Sequence, residues 1–190
     1  MTGKSRNLLR LRGGSVSPAA FISREAFSGL YERLHLPVFR FVYGLTGGSQ
    51  EEADDLAAET FLRAWRSRRH FQGGEAAALG WLLKIARRLV IDAHRRRGAR
   101  PQAAGDSAAL PARGPSPEAT TQAGEEQAAL TSLLRSLPDR PREMLVLRYL
   151  LGWRVKQIAA HLEIPENTVS VDIRRALERL RQNWPQPKED

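Results

Sequence analysis

An all-α fold of two small helical domains joined by a flexible linker is predicted by three features of the 190-residue sequence. Apolar residues recur at three-four spacing over long runs, as buried helical stripes do. One Pro-, Ala- and Gly-rich stretch without any periodicity separates those runs. The length suits two compact domains of modest core.

Residues 1–20 mix Lys4, Arg6, Arg10 and Arg12 with Gly13, Gly14 and Pro18, which reads as a flexible basic arm. The first domain is expected over 21–97. From Phe27, the stripe Leu30, Tyr31, Leu34, Val38, Phe41, Val42 and Leu45 predicts a helix that kinks at Pro37 and stops at Gly47 and Gly48. A second stripe, Ala53, Leu56, Ala57, Thr60, Phe61, Ala64 and Trp65, faces the core, and the opposite side carries Asp55, Glu59 and Leu62. A leucine flanked by carboxylates on a solvent face suggests a docking surface.

The third helix places Leu79, Leu82, Leu83, Ala86, Leu89, Val90 and Ala93 on one side and Lys84, Arg87, Arg88, Asp92 and Arg95 on the other. Trp81 and Ile91 join the basic side, and Arg96, Arg97 and Arg100 extend the charge. Guanidinium groups for phosphates beside a flat aromatic group for an unstacked base are what a nucleic-acid surface needs.

Residues 98–124, with Pro101, Pro111, Pro115 and Pro117, read as the linker, 125–184 as the second domain and 185–190 as a tail. Leu130, Leu133, Leu134 and Leu137 predict a short amphipathic helix ended by Pro138. Residues 141–151 predict another with Met144, Leu145, Leu147 and Leu150 inside, ended by Gly152.

From Val155 the pattern is that of a helix-turn-helix. Ile158, Ala159 and Leu162 form the inner face of a short helix, Ile164 fills the turn, and Val169, Ile173, Ala176, Leu177 and Leu180 line a longer one that begins at Pro165. In this motif the second helix offers its first outward residues to base edges in the major groove. Here they are Asn167, Thr168, Ser170, Val171 and Asp172, with Arg174 and Arg175 one turn on.

Charge sharpens the picture. Thirty basic residues against twenty-one acidic ones give a net charge of +9, which favours a polyanionic partner. Residues 21–62 carry three basic and seven acidic residues, net −4, whereas 63–100 carry eleven and two, net +9. Adjacent blocks of opposite sign imply two partner surfaces in one domain. The absence of cysteine rules out disulfides and thiolate metal sites, and no apolar run approaches a membrane span, so a cytoplasmic protein without membrane insertion is expected.

The order of these features resembles the extracytoplasmic-function (ECF) sigma factors of bacterial RNA polymerase over about 160 of the 190 residues. ADDLAAETFLRAW (53–65) is similar to their region 2.2, WLLKIARRLVIDAHRRR (81–97) to regions 2.3 and 2.4, and LPDRPREMLVLRYLLGWRVKQIAAHLEIPENTVSVDIRRALERLR (137–181) to region 4. The resemblance implies that Asp55, Glu59, Leu62 and Arg66 bind the clamp helices of the polymerase beta-prime subunit. It implies that Phe71, Gln72, Trp81, Lys84, Arg87, Arg88, Asp92 and Arg95 read and open the minus-10 element. Region 4 would bind the beta flap and read the minus-35 element through Asn167, Thr168, Ser170, Val171, Arg174 and Arg175. The implied partners are core polymerase, double- and single-stranded promoter DNA and an anti-sigma factor; neither a cofactor nor a metal is implied.

Several positions depart from the family pattern. Arg88 replaces a usual Asn, Glu163 stands where the turn usually has Gly, and Arg154 stands where a Ser or Thr caps the motif's first helix. Ser170 and Asp172 replace basic residues of the recognition helix, which predicts unusual minus-35 recognition. Two other classes compete. A one-component helix-turn-helix regulator would need a ligand pocket in the first domain, where a densely charged helix lies instead. A nucleic-acid enzyme would need a catalytic constellation, but His35, His70, His94 and His161 are scattered and Asp54 and Asp55 diverge on their helix.

Overall fold

The computed structural model describes residues 23–99 and 122–184, and every element among them is helical. The expected basic arm, the tail and most of the linker lie outside the described residues. Helices α1 (Arg24–Thr46), α2 (Gln50–Ser67) and α3 (Glu75–Ala99) form the first bundle. Ser23 begins α1, its hydroxyl accepting the Ala26 N–H at 3.1 Å. The expected kink does not interrupt the helix: α1 continues through Pro37, which loses one N–H, with Leu34 and Val38 buried on either side of it.

Gly47 ends α1 in the left-handed region, φ 72°, where a side chain is disfavoured, and its N–H donates to the Tyr43 carbonyl. The core is the expected stripe set: Leu30, Phe41 and Val42 of α1, Ala53, Ala57 and Phe61 of α2, and Leu82, Leu83, Ala86 and Leu89 of α3 are buried. Burying each large aliphatic or aromatic side chain contributes about 1.5–3 kcal/mol. Thr60 can share this core because its hydroxyl donates to the Leu56 carbonyl at 2.7 Å.

The second half holds α4 (Gln122–Ser136), α5 (Asp139–Leu145), a π-helical turn (Val146–Leu150), α6 (Val155–Leu162) and α7 (Glu166–Gln182). Helix α4 starts inside the stretch expected as linker. The wide turn after α5 rotates Leu150 outward to 38 % exposure, against its expected inner place. Leu177 is likewise exposed, because the inward stripe of α7 runs through Val169, Ile173 and Ala176 and leaves Leu177 on its rim. Ala159, buried, sits where α6 and α7 cross, as its small size requires.

The two halves are packed together. Buried Arg142 donates to the carbonyls of Leu137 at 2.7 Å, Arg135 at 2.9 Å and, across the interface, Leu45 at 2.9 Å. Arg135 donates to the Gly47 carbonyl at 2.8 Å. A methyl group on Gly44 would stand 2.5 Å from Val146 Cγ2, so this glycine permits close approach of α1 to the π turn.

Gly47→Ala tests the α1 terminus. It imposes left-handed strain and drives a Cβ into the Arg135 side chain, so unfolding free energy should fall by about 1–3 kcal/mol. Urea titration followed by circular dichroism measures it, with a lower midpoint at unchanged slope.

Candidate nucleic-acid interface

Asp55, Glu59, Leu62 and Arg66 follow one another at four-three-four spacing and so form a single stripe on α2, opposite the core. Asp55 and Arg66 are exposed, Leu62 is 44 % exposed, and Glu59 accepts from Arg63 Nε at 2.7 Å. Such an exposed i,i+4 pair is worth only about 0.3–0.5 kcal/mol, so Glu59 can exchange it for a partner's cation. At the far end of the acidic stretch, Glu52 and Arg97 form an ion pair that ties α2 to the end of α3.

Helix α3 carries two adjacent stripes. Trp81, Arg88, Asp92 and Arg95 make the open one: the three charged residues are exposed and Trp81 is half-buried. Phe71, expected on this surface as a contact, is instead buried, its ring stacked on Trp81 at 4.6 Å between centroids and 27° between planes. Phe71 therefore backs the indole, and Trp81 alone offers a face. Gln72, beside it, is exposed.

The second stripe, Gly80, Lys84, Arg87, Ile91 and His94, again at four-three-four-three spacing, faces the second half of the chain. Lys84 Nζ is 2.9 Å from Glu163 Oε1, and Arg87 Nε is 2.8 Å from Glu143 Oε2. Ile91 and His94 line a cleft with Leu45, Asp139, Arg142 and Glu143, and a Cβ on Gly80 would stand 3.6 Å from His161 Nδ1. Two expected DNA-contacting cations, Lys84 and Arg87, are thus engaged internally.

On α7, Asn167, Ser170, Val171 and Arg174 share one face, with Thr168 and Arg175 flanking it. Asn167, Ser170, Arg174 and Arg175 are exposed, whereas Thr168 and Val171 are half-buried. Asn167 Oδ1 accepts the Thr168 N–H at 2.8 Å and Ser170 Oγ donates to the Glu166 carbonyl at 3.0 Å, so both polar groups turn towards their own helix. Glu163, in the turn before α7, adopts φ 58°, the left-handed backbone that glycine would take without strain. Gln157 Oε1 accepts the Arg154 N–H at 2.9 Å, one half of a capping box; the reciprocal half needs an acceptor at Arg154, which a guanidinium lacks.

The residues missed in the sequence are Glu143, His161 and Arg142. Glu143 is 2 % exposed and its Oε1 has no hydrogen-bond partner among the described residues. Burial pushes its carboxyl above the usual range, opposed by Arg87. His161 is edge-on to Trp153, and burial lowers its pKa to about 4, with Lys84 and Arg87 adding to the effect. Glu163 moves the other way, below the usual carboxylate range, chiefly through its hydrogen bond from Lys84. A carboxylate at the head of an apolar run, as in EMLVL, was the available signal for Glu143.

The sigma-70 region 2 family model matches residues 30–100, and the sigma-70 region 4 model matches 127–180. The ECF RNA polymerase sigma factor SigE of Mycolicibacterium smegmatis is 36 % identical over 149 residues, covering 76 % of this chain and 56 % of that protein. SigL of Mycobacterium tuberculosis, also an ECF RNA polymerase sigma factor, is 30 % identical over 169 residues, covering 87 % of this chain and 93 % of that protein. Among solved structures, CnrH in complex with the cytosolic domain of CnrY shares the fold at TM-score 0.63 and 23 % identity, over 86 % of this chain and 90 % of that one. The sigma factor RpoE in complex with the anti-sigma factor NepR from Bartonella quintana does so at 0.60 and 23 %, over 82 % and 96 %.

Protonation of His161 should weaken the packed arrangement. Its folded-state pKa lies below the unfolded value, so its contribution is present above about pH 6.5 and is lost as pH falls towards 4. Glu143 has the opposite sign: its raised pKa makes it favourable to folding in acid and less so as pH rises. Comparing urea stability of the wild type with His161→Gln isolates the histidine. The variant should lose less stability than the wild type between pH 6.5 and 4.

Proposed function

We propose, from the premise that this chain belongs to the ECF RNA polymerase sigma factors, that its two halves divide the work of initiation along the stripes described above. It is an alternative sigma factor that directs transcription initiation. The observation that carries the division is the separation of an acidic-leucine stripe on α2 from a cationic, aromatic stripe on α3 within one bundle. Opposite charges on separate faces suit a protein partner and a nucleic acid held at the same time.

Asp55, Glu59, Leu62 and Arg66 dock on the beta-prime clamp helices, and the second domain contacts the beta flap. Trp81 stacks on an unpaired base of the minus-10 element while Lys84, Arg87, Arg88 and Arg95 neutralise phosphates and Gln72 and Asp92 hydrogen-bond bases. Stacking on an aromatic ring contributes about 1–3 kcal/mol, enough to offset much of the few kcal/mol that unstacking a base requires. Asn167, Thr168, Ser170, Val171, Arg174 and Arg175 face the minus-35 element. No bond is made or broken in this role, so the chain acts as a binding factor rather than an enzyme, in the cytoplasm, and an anti-sigma factor is the partner that would hold it inactive.

A binding titration with core polymerase and run-off transcription test the division. Leu62→Glu should weaken the core complex at least about tenfold, equivalent to ~1.4 kcal/mol, while the fold is retained because Leu62 lies outside the core. An unweakened complex would remove the docking role of α2. Trp81→Ala should leave core binding intact and lower run-off transcript about tenfold or more through lost stacking.

A further inference from the structure

We infer that Gly73 is a positioning residue for strand opening: it leaves the room in which Phe71 lies flat against Trp81, and so sets the indole face on which an unpaired base stacks. Resting on the assignment of Trp81 to minus-10 DNA made above, this adds a residue that acts on the DNA through two others.

The segment between α2 and α3 is tied at both ends. Arg68 lays its guanidinium 3.5 Å from the centre of the Trp65 ring and donates to the Trp65 carbonyl at 2.7 Å, which fastens the short helical turn Arg68–His70 to the end of α2. The Phe71 N–H donates to the Arg68 carbonyl at 3.2 Å, and the Ala77 N–H to the Gly74 carbonyl at 3.0 Å. Within that span, a Cβ on Gly73 would stand 2.9 Å from Phe71 Cζ, 3.2 Å from Phe71 Cε2 and 3.0 Å from Ala77 Cβ. Gly73 does not share the left-handed backbone of Gly47, Gly48 and Gly152, so the position requires space rather than an unusual conformation.

The atoms that Gly73 spares are the outer edge of a rigid ring. Phe71 is buried, and its ring lies 4.6 Å from that of Trp81 at 27° between planes. In a segment fastened at both ends, such a ring yields to a methyl group by tilting or sliding against the indole. Trp81 is half-buried with one face on Phe71, so its orientation follows that of Phe71. A base gains its stacking energy only where the open face meets the unpaired strand.

Holoenzyme formed from core polymerase and each variant is compared in core binding and in run-off transcription on genomic DNA. Gly73 lies outside the helices and the core, so the fold is retained in Gly73→Ala. This variant should bind core polymerase normally and lower run-off transcript about tenfold, the size of one weakened stacking contact. Phe71→Leu removes both ring atoms that the new methyl group would meet. Gly73→Ala added to Phe71→Leu should therefore lower transcript no further than Phe71→Leu alone. Ala77→Gly relieves only the other contact and should not restore Gly73→Ala.

Fluorine resonances report the indole directly. With fluorotryptophan at the four tryptophan positions and the Trp81 signal assigned by its loss in Trp81→Phe, Gly73→Ala and Phe71→Leu should each shift that signal and leave those of Trp153 and Trp184 in place. An unshifted Trp81 signal, restoration by Ala77→Gly, or losses that multiply independently in the double variant overturn the positioning role. Normal transcript from Gly73→Ala overturns it too while Trp81→Ala lowers transcript. Normal transcript from Trp81→Ala removes the assignment of Trp81 to DNA, and the role of Gly73 with it.

Discussion

The arrangement of the molecule turns on one buried guanidinium. Arg142 satisfies three carbonyls at once, two from the α4–α5 corner and one, Leu45, from the last turn of α1. A helix C-terminus leaves its final carbonyls without intrahelical partners and carries partial negative charge. Arg135 meets a second of these groups, at Gly47. The end of α1 is thus completed by the other half of the chain, and the docking of Val146 over Gly44 follows from that registration. The two ion pairs that join α3 to the second half of the chain, Lys84–Glu163 and Arg87–Glu143, lie across the same interface.

With the corner seated, the strongly basic segment is divided by geometry. A single helix with cations all along one side could present one continuous surface, but the four-three period splits it into two stripes a fraction of a turn apart. The stripe through Lys84 and Arg87 finds carboxylates, and the stripe through Arg88, Asp92 and Arg95 stays in solvent. Trp81 is held at the edge of the open stripe because Phe71, itself buried, stacks beneath it. The helix sequence creates the cationic surface; the fold pairs one stripe of it with carboxylates and leaves the other unpaired with the second domain.

The apolar spacing made the helices and their inward faces legible, since three-four periodicity reports burial directly. Leu150 and Leu177 escaped it for a local reason: a π turn shifts register by one residue, and a rim position obeys the same period as a core one. Phe71 was misplaced because an aromatic next to a basic helix can serve as support as readily as contact. The pairs Lys84–Glu163 and Arg87–Glu143 could not be read at all. They join residues far apart in the chain, and charge at long separation carries no periodic signature. Glu163 was recognisable as an unusual turn residue, and only the fold supplies its partner.

The energetics of that second domain's docking suggest why such an arrangement can be reversible. An exposed pair such as Lys84–Glu163 contributes about 0–1 kcal/mol. For Arg87–Glu143 the desolvation of a carboxylate with an unpaired oxygen offsets much of the attraction, so the net gain is small even though removing one partner would be costly. The left-handed backbone at Glu163 subtracts further. What remains is the apolar seat at Gly44 and the arginine corner, opposed by the constraint on the second domain's freedom. An interface whose charged part nearly cancels makes a weak electrostatic lock. Glu143, once released, also gains solvent for the oxygen it had to bury. The charges across this interface therefore contribute less to holding the domains together than the apolar seat and the arginine corner do.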